Sequence, residues 1–299
     1  MNNYPIIKLR KGKDEAVKRY HPWIFSGAIE TAADGLQAGD IVTVVDYKNN
    51  ILGNGFAEAG NIAVKILTFD DRKIDSDFWK ERLAKAFELR KLMGLTDNEH
   101  TNCYRLVHSE GDNLPGLIID IYGKTAVVQA QTEGMALNVK AIADALMTIE
   151  GLNITSVYNK SSEAMQRMGK DAVEDGYLIG ESSDEFVLEN DSKFFVDWEE
   201  GQKTGFFLDQ RYNRDLVRQL AKGKNVLNTF CYTGGFSVTA LRGGANKVVS
   251  VDCSKKAIAA CEKNIALNGF DVKENPSVAE DAKLFLQNMK KGEFDLIIL

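Results

Sequence analysis

Apolar and polar positions fall into three successive patterns along the chain. In the first, short β-branched runs at Ile41 to Val45, Ile51 to Phe56 and Ile62 to Leu67 are separated by Tyr47-Lys48-Asn49-Asn50 and Ala59-Gly60-Asn61, which are turn chemistry. Ile62, Val64 and Ile66 alternate with Ala63 and Lys65, the period of a half-buried strand. Asp70-Asp71-Arg72-Lys73 reads as a linker. The second pattern opens with Trp79, Leu83 and Phe87 four residues apart, a helix that Asp75 or Ser76 can cap and Gly94 ends. Strand-like runs follow at Gly116 to Tyr122 and Thr125 to Gln131, joined as a hairpin through Gly123-Lys124. A helix is expected from Met135 to Ile149 and a strand from Ile154 to Tyr158. Phe186 to Leu188 and Lys193 to Trp198 form a second expected hairpin across Glu189-Asn190-Asp191-Ser192.

The third pattern alternates strands with helices. Asn225 to Asn228 is a short buried strand leading into Thr229-Phe230-Cys231-Tyr232-Thr233-Gly234-Gly235, then a helix to Leu241 stopped by Gly243-Gly244. Val248 to Val251 is a strand ending at Asp252, and Ser254 caps a helix in which Ile258, Cys261 and Ile265 share one face. Asn268-Gly269 closes that helix; Ser277 to Ala279 and Phe294 to Leu299 are further strands. Such alternation implies a parallel, doubly wound sheet. The division expected is therefore 1–72 as a small β domain, 73–190 as an α+β domain and 191–299 as an α/β domain.

A length of 299 residues accommodates two or three domains, and 44% hydrophobic with 27% charged residues is globular composition. No apolar run approaches the ~20 residues needed to cross a bilayer, and Met1-Asn2-Asn3-Tyr4 begins no signal peptide. The four cysteines have no disulfide or zinc spacing and only three histidines accompany them, so no metal is expected and a reducing cytoplasm fits. A net charge of −6 argues weakly against nucleic acid. Locally the balance reverses: Lys8, Arg10, Lys11, Lys13, Lys18 and Arg19 face only Asp14 and Glu15. A solvated surface with no partner is the plainer account of that stretch.

In a doubly wound sheet, ligands bind beyond the carboxyl ends of the strands. The residues there are the loop ending in Gly234-Gly235, Asp252 and Glu280-Asp281. A carboxylate closing the second strand suits the two hydroxyls of a ribose, so a bound adenosine is the natural inference. A nicotinamide dinucleotide needs a G-x-G-x-x-G turn for its pyrophosphate. Here only one adjacent glycine pair follows bulky Phe230 and Tyr232, which favours phosphate-free S-adenosylmethionine, whose cationic sulfonium an aromatic face tolerates.

Three ordered motifs carry a resemblance over nearly the whole chain. The run from Trp198 to Arg211 (WEEGQKTGFFLDQR), followed by Val226 to Phe236 (VLNTFCYTGGF), is similar to the bacterial ribosomal RNA large subunit methyltransferase I family of S-adenosylmethionine-dependent cytosine-C5 methyltransferases. His21 to Ile29 (HPWIFSGAI) resembles that family's N-terminal PUA domain, a small RNA-binding β-barrel, and Asn113 to Asp120 (NLPGLIID) its central α+β domain. The fold class implied is α/β: a PUA-like barrel, a central α+β domain and a Rossmann-like methyltransferase domain with an incomplete sheet.

The resemblance implies that Lys203 to Arg211 fold over the cofactor, with Phe206, Asp209 and Arg211 touching it or holding the loop. It implies that Asn228, Phe230, Tyr232 and Gly234 wrap the methionine part, Asp252 the ribose and Asp281 the adenine amino group. Lys8, Arg10, Lys11, Arg19 and Trp23 would face ribosomal RNA, through phosphate contacts that can coexist with an acidic whole. A homodimer is implied as well. Plainer roles stand beside these: Asp252 capping the next helix with Ser254, Phe206-Phe207 packing in a core, Asp209 and Arg211 forming an ion pair. His21, Cys103, Cys253 and Cys261 read as packing residues.

Methylation at C5 requires a thiolate to add at C6, methyl transfer from the sulfonium, and loss of the C5 proton. The family's fourth strand continues into Asp-Pro-Pro with a nucleophilic cysteine later, whereas this sequence stops at Leu299. The catalytic residues are thus expected beyond Leu299, the 299 residues are expected to be inactive alone, and the last strand is expected to expose an apolar edge. Cys231, on the donor side, is a poor candidate nucleophile. The competing readings are an RNA-binding module without catalysis, a guanine-N7 RNA methyltransferase and a nicotinamide-dependent oxidoreductase.

Overall fold

The β-branched runs at the start of the chain pair into a six-stranded sheet in a computed structural model, which describes residues 2–169, 173–182 and 184–299. Its strands are β1 (Ile6–Leu9), β2 (Trp23–Phe25), β3 (Ile29–Ala32), β4 (Ile41–Val45), β5 (Ile51–Ala57) and β6 (Ile62–Thr68), in the order β2-β6-β5-β4-β1-β3. β4, β5 and β6 fall where the alternation predicts them. β1 to β3 were not expected, because three or four residues are too few to show a period. The basic stretch lies between β1 and β2 and contains one helical turn, α1 (Glu15–Lys18).

Helix α2 (Ser76–Leu92) starts where Asp75 accepts the Phe78 N–H at 3.2 Å, and it buries Phe78, Trp79, Leu83 and Phe87. The expected helix from Met135 to Ile149 is two helices, α3 (Glu133–Leu137) and α4 (Val139–Leu146). They part at Asn138, whose side-chain amide donates to the Gly134 carbonyl at 2.8 Å, competing for an acceptor that the helix would otherwise use. Around them lie β7 (Cys103–His108), β8 (Leu117–Tyr122), β9 (Thr125–Ala130), β10 (Ser156–Asn159) and β11 (Gly176–Ile179), with a short α5 (Ser162–Gln166). The sheet order is β11-β10-β9-β8-β7, and β9 and β10 are parallel. Gly134 is required by a close approach, since a Cβ there would lie 2.2 Å from the Phe56 ring.

The chain divides into two compact units, one running to Asp97 and resuming from Tyr104 to residue 183, the other comprising Asn98–Cys103 and Asp184–Leu299. Both sheets above belong to the first, with a shared core that includes Phe56, Leu67, Trp79, Leu117 and Ile142.

The second unit opens on a hairpin of β12 (Val187–Glu189) and β13 (Ser192–Phe194). Its turn is Asn190-Asp191, both left-handed at φ +49° and +65°, so Ser192 pairs with Glu189 and the second strand starts one residue earlier than expected. Helix α6 (Arg211–Leu220) precedes β14 (Asn225–Thr229), α7 (Gly235–Arg242), β15 (Lys247–Asp252), α8 (Lys255–Leu267), β16 (Ser277–Ala279), α9 (Ala282–Asn288) and β17 (Leu296–Ile298). The four strands form one parallel sheet, β16-β15-β14-β17, as the alternation implies. Ser254 caps α8 by accepting the Ala257 N–H at 3.2 Å. No helix among the described residues is long and apolar enough to cross a membrane.

Glu189 ties this unit together. Its carboxylate, 3% exposed as a residue, accepts from Arg214 Nε at 2.6 Å, Arg214 Nη2 at 2.8 Å and Arg211 Nε at 3.3 Å. Arg211 also donates to the Cys103 carbonyl and Arg214 to the Phe207 carbonyl. Removing the anion would strand buried cationic charge, so Glu189→Ala is expected to destabilise by about 3–5 kcal/mol. The check is a drop in the denaturant midpoint of the second unit's transition.

Candidate functional site

The loop between β14 and α7 is held residue by residue. Cys231 N–H donates to the Val251 carbonyl at 3.0 Å, Tyr232 N–H to Asp252 Oδ2 at 3.0 Å and Gly234 N–H to the Cys231 carbonyl at 2.9 Å. Asn264, from α8, donates to the Thr233 carbonyl at 2.8 Å. These bonds stabilise an uncommon backbone, with Phe230 at φ +55° and Tyr232 at φ +47°. Gly234, at φ +79°, must be glycine for a second reason: a Cβ would lie 2.4 Å from Cys261 Sγ. The loop thereby leaves Phe230 67% exposed and turns Tyr232 toward the neighbouring segment.

That segment, Asp197 to Phe207, forms a strap over the loop. The Tyr232 hydroxyl accepts the Gln202 N–H at 3.0 Å and donates to the Gly205 carbonyl at 3.3 Å. The Phe207 ring meets Tyr232 edge to face at 5.5 Å. Lys256, on α8, pairs with Glu200 at 2.5 Å and Asp197 at 3.2 Å, and these carboxylates, Glu200 foremost, push its pKa up. Strap, loop and α8 enclose a cavity of about 650 Å³ walled by Phe207, Phe230, Tyr232, Thr233, Asp252 and Ser254 among others.

Asp252 stands at the carboxyl end of β15 with Oδ1 accepting the Ser254 N–H at 2.9 Å and Oδ2 accepting from Tyr232. It therefore supports the start of α8, as the plainer reading has it, and also lies on the cavity wall. An ionised carboxylate has about four acceptor sites, so capacity is left for ligand hydroxyls. The Thr233 Oγ1, buried in the cavity wall, has no hydrogen-bond partner among the described residues. A buried hydroxyl left so is costly unless a ligand or water meets it. Gly235, where α7 begins, is packed against Arg214 and Phe206, each 3.3 Å from where a Cβ would sit.

Of the residues expected at the cofactor, Phe230, Tyr232 and Asp252 share this wall and the others lie elsewhere. Phe206 is in the core, 5% exposed, under the Arg214 guanidinium at 4.4 Å and beside Phe194; its neighbour Phe207 lines the cavity instead. Asn228 is buried with its amide donating to Ser237 Oγ, and Gly234 packs on Cys261. Arg211 is paired with Glu189, not with Asp209, whose carboxylate accepts from the Gln210 side chain. Asp281 caps α9 by accepting the Lys283 and Leu284 N–H groups at 2.9 and 3.1 Å. The loop that holds Thr233 and the cap at Ser254 were read from the sequence, but no individual ligand role was expected for either, nor for Asp197 and Glu200 of the strap.

In the first unit, Trp23 is half-buried with its indole N–H donated to Glu110 at 2.9 Å, and Arg10 Nε donates to the Ile29 carbonyl. Lys18 is paired with Asp14. Arg19 is exposed, Lys8 is half-buried on β1, and Lys11 lies 5.9 Å from the Tyr47 ring. Part of the expected basic face is thus engaged within the protein, leaving Lys8, Lys11 and Arg19 without an ion pair among the described residues.

Comparison with known proteins agrees with this architecture. Residues 105–299 match the model of the S-adenosylmethionine-dependent methyltransferase family, and residues 7–69 that of a PUA-like domain. Ribosomal RNA large subunit methyltransferase I of Aeromonas hydrophila is 38% identical over 98% of this chain and 75% of its own length. The protein of that name from Enterobacter sp. (strain 638) is 35% identical over 98% of this chain and 74% of its own. The chain belongs to this methyltransferase I family. A solved SAM-dependent methyltransferase from Streptococcus mutans shares the fold, with a TM-score of 0.81 at 24% identity over 98% of this chain and 76% of that one. SMU.776, a methyltransferase crystallised with SAH, superposes equally well, over 98% and 74% of the two chains. For this methyltransferase the cofactor is S-adenosylmethionine, and the partnerless Thr233 hydroxyl, the acceptor capacity of Asp252 and the three aromatic rings form a wall suited to it.

Two substitutions test the wall. Thr233→Val is expected to leave the unfolding midpoint nearly unchanged while lowering S-adenosylhomocysteine affinity up to about tenfold, read by calorimetry. Gly234→Ala is expected to destabilise by about 1–3 kcal/mol and to abolish the thermal shift that the same ligand produces in the unaltered chain.

Proposed function

We propose that this methyltransferase acts on cytosine C5 in 23S ribosomal RNA. The single observation that carries the cofactor half of the reading is the cavity wall of Phe230, Tyr232, Thr233 and Asp252. The RNA half is supported by the relatives' names and by the PUA-like region. Three domains, 1–72, 73–190 and 191–299, are the functional division we assign, within a homodimer in the cytoplasm.

S-adenosylmethionine supplies the electrophilic methyl group. The chain's part is to hold it: Asp252 as acceptor for the ribose hydroxyls, the aromatic rings around the cationic end, and Thr233 as a further polar anchor. The target base must leave its stack or be met single-stranded to reach such a cavity. Cytosine chemistry also needs a thiolate. Burial pushes Cys103 up to about 12, and Cys231 is raised by its hydrogen bond to Cys261 and by burial. Cys261 is fully buried, and no cysteine is on the cavity wall. Cys253 is exposed but is not on that wall either, so on this reading none of these four cysteines is the nucleophile.

Calorimetry is expected to register S-adenosylhomocysteine binding at one site per chain, lost in Asp252→Ala, with no comparable binding of NAD. Incubation of the 299 residues with S-adenosylmethionine and unmodified 23S RNA is expected to yield no 5-methylcytidine by nucleoside mass spectrometry. Product from these residues alone would overturn the thiolate assignment, and methylguanosine as the product would overturn the base assignment.

A further inference from the structure

The segment from Arg211 to Lys224 is basic in an acidic chain: Arg211, Arg214, Arg218, Lys222 and Lys224 face a single Asp215. Arg211 and Arg214 are both committed to Glu189, so the more exposed charge is that of Arg218 on α6, with Lys222 and Lys224 just beyond its end. Beside it is a second cavity, of about 410 Å³, whose wall includes His100, Asp191, Arg211, Tyr212, Asp215 and Arg218. It belongs to the same unit as the cofactor cavity and shares no residue with it.

Three features give this cavity a chemistry. Tyr212 is 79% exposed, and among the described residues no ring or cation lies against it. An exposed aromatic face that shares a cavity wall with Arg218 is a platform on which an unpaired base can stack. Arg218 is 42% exposed and held by Asp215 at 2.9 Å, leaving donors free for an anion. His100 is paired with Asp191 at 2.6 Å, and that carboxylate pushes the imidazole pKa up.

Position adds to chemistry. Arg211 is four positions along the chain from Phe207 of the cofactor wall, so their backbones are at most ~14 Å apart. A strand of RNA crossing α6 would therefore pass within a few nucleotides of the methyl donor.

We propose that this cavity is a single-stranded RNA subsite, with one base stacked on Tyr212 and its phosphate held by Arg218, flanking the nucleotide to be methylated. This rests on the RNA-substrate reading above and extends it to a surface apart from the N-terminal basic stretch. The stack supplies affinity for any base, and the arginine supplies salt dependence.

The test uses the 299-residue chain and a fluorescein-labelled, mixed-sequence single-stranded RNA 12-mer, read by anisotropy across a salt series. Tyr212→Ala is expected to weaken binding fivefold or more, and Tyr212→Phe to restore it, because stacking needs the ring and not the hydroxyl. Arg218→Glu is expected to weaken binding and lower the salt slope by about 1. S-adenosylhomocysteine affinity is expected to be unchanged in all three. If the unaltered chain binds the RNA and Tyr212→Ala and Arg218→Glu bind it equally well, the subsite is overturned and the RNA reading stands. If the unaltered chain fails to bind RNA at all, both are overturned.

Discussion

One buried carboxylate organises the methyltransferase unit. Glu189 holds two guanidinium groups, Arg211 and Arg214, and each of these reaches a different backbone carbonyl. Arg214 then lies over the Phe206 ring, and both pack on Gly235, where α7 starts. The order of dependence runs from the β12–β13 hairpin to α6, to the end of the strap, and to the helix that follows the cofactor loop. A lysine could supply the charge at position 214 but not the planar fork that meets both carboxylate oxygens. Such a network stabilises only while every member is present, because each ion has been taken from water and depends on the others.

The same economy explains the strained loop. Two non-glycine residues in left-handed conformation within three positions are tolerated because Val251, Asp252 and Asn264 each fix one of the loop's peptide groups. What the strain secures is direction. Phe230 faces outward and Tyr232 faces the strap, where its one hydroxyl bonds two of the strap's backbone groups. Loop and strap are therefore positioned by each other.

Much of this architecture was legible in the sequence, for identifiable reasons. β14, β15 and β16 declared themselves as apolar runs, and Ser254 and Asn268-Gly269 bracketed α8 by capping chemistry. α6 did not, because its residues are mostly polar and its buried member is an arginine, which no apolar period reveals. β7 was missed for the opposite reason, an arginine at its centre interrupting Tyr104, Leu106 and Val107. At the site, the sequence located the loop and Asp252, whose positions follow from strand ends. It named Phe206 where Phe207 lines the cavity, since only the packing of Arg214 decides which ring turns inward. The adenine role of Asp281 came from the family resemblance alone; its Oδ1 caps α9, a use that the Asp281-Ala282 boundary in the sequence did not announce.

The sulfur of Cys261 occupies the space into which a side chain at position 234 would project. Two sites far apart in sequence are thus one volume in space, and neither can drift independently. A smaller residue at 261 would open room at 234, yet the left-handed backbone would still select glycine there. A bulkier residue at 261 has no such release, since the contact is already closed by backbone. Variation among descendants of this chain should therefore run in one direction at the helix position and not at all in the loop.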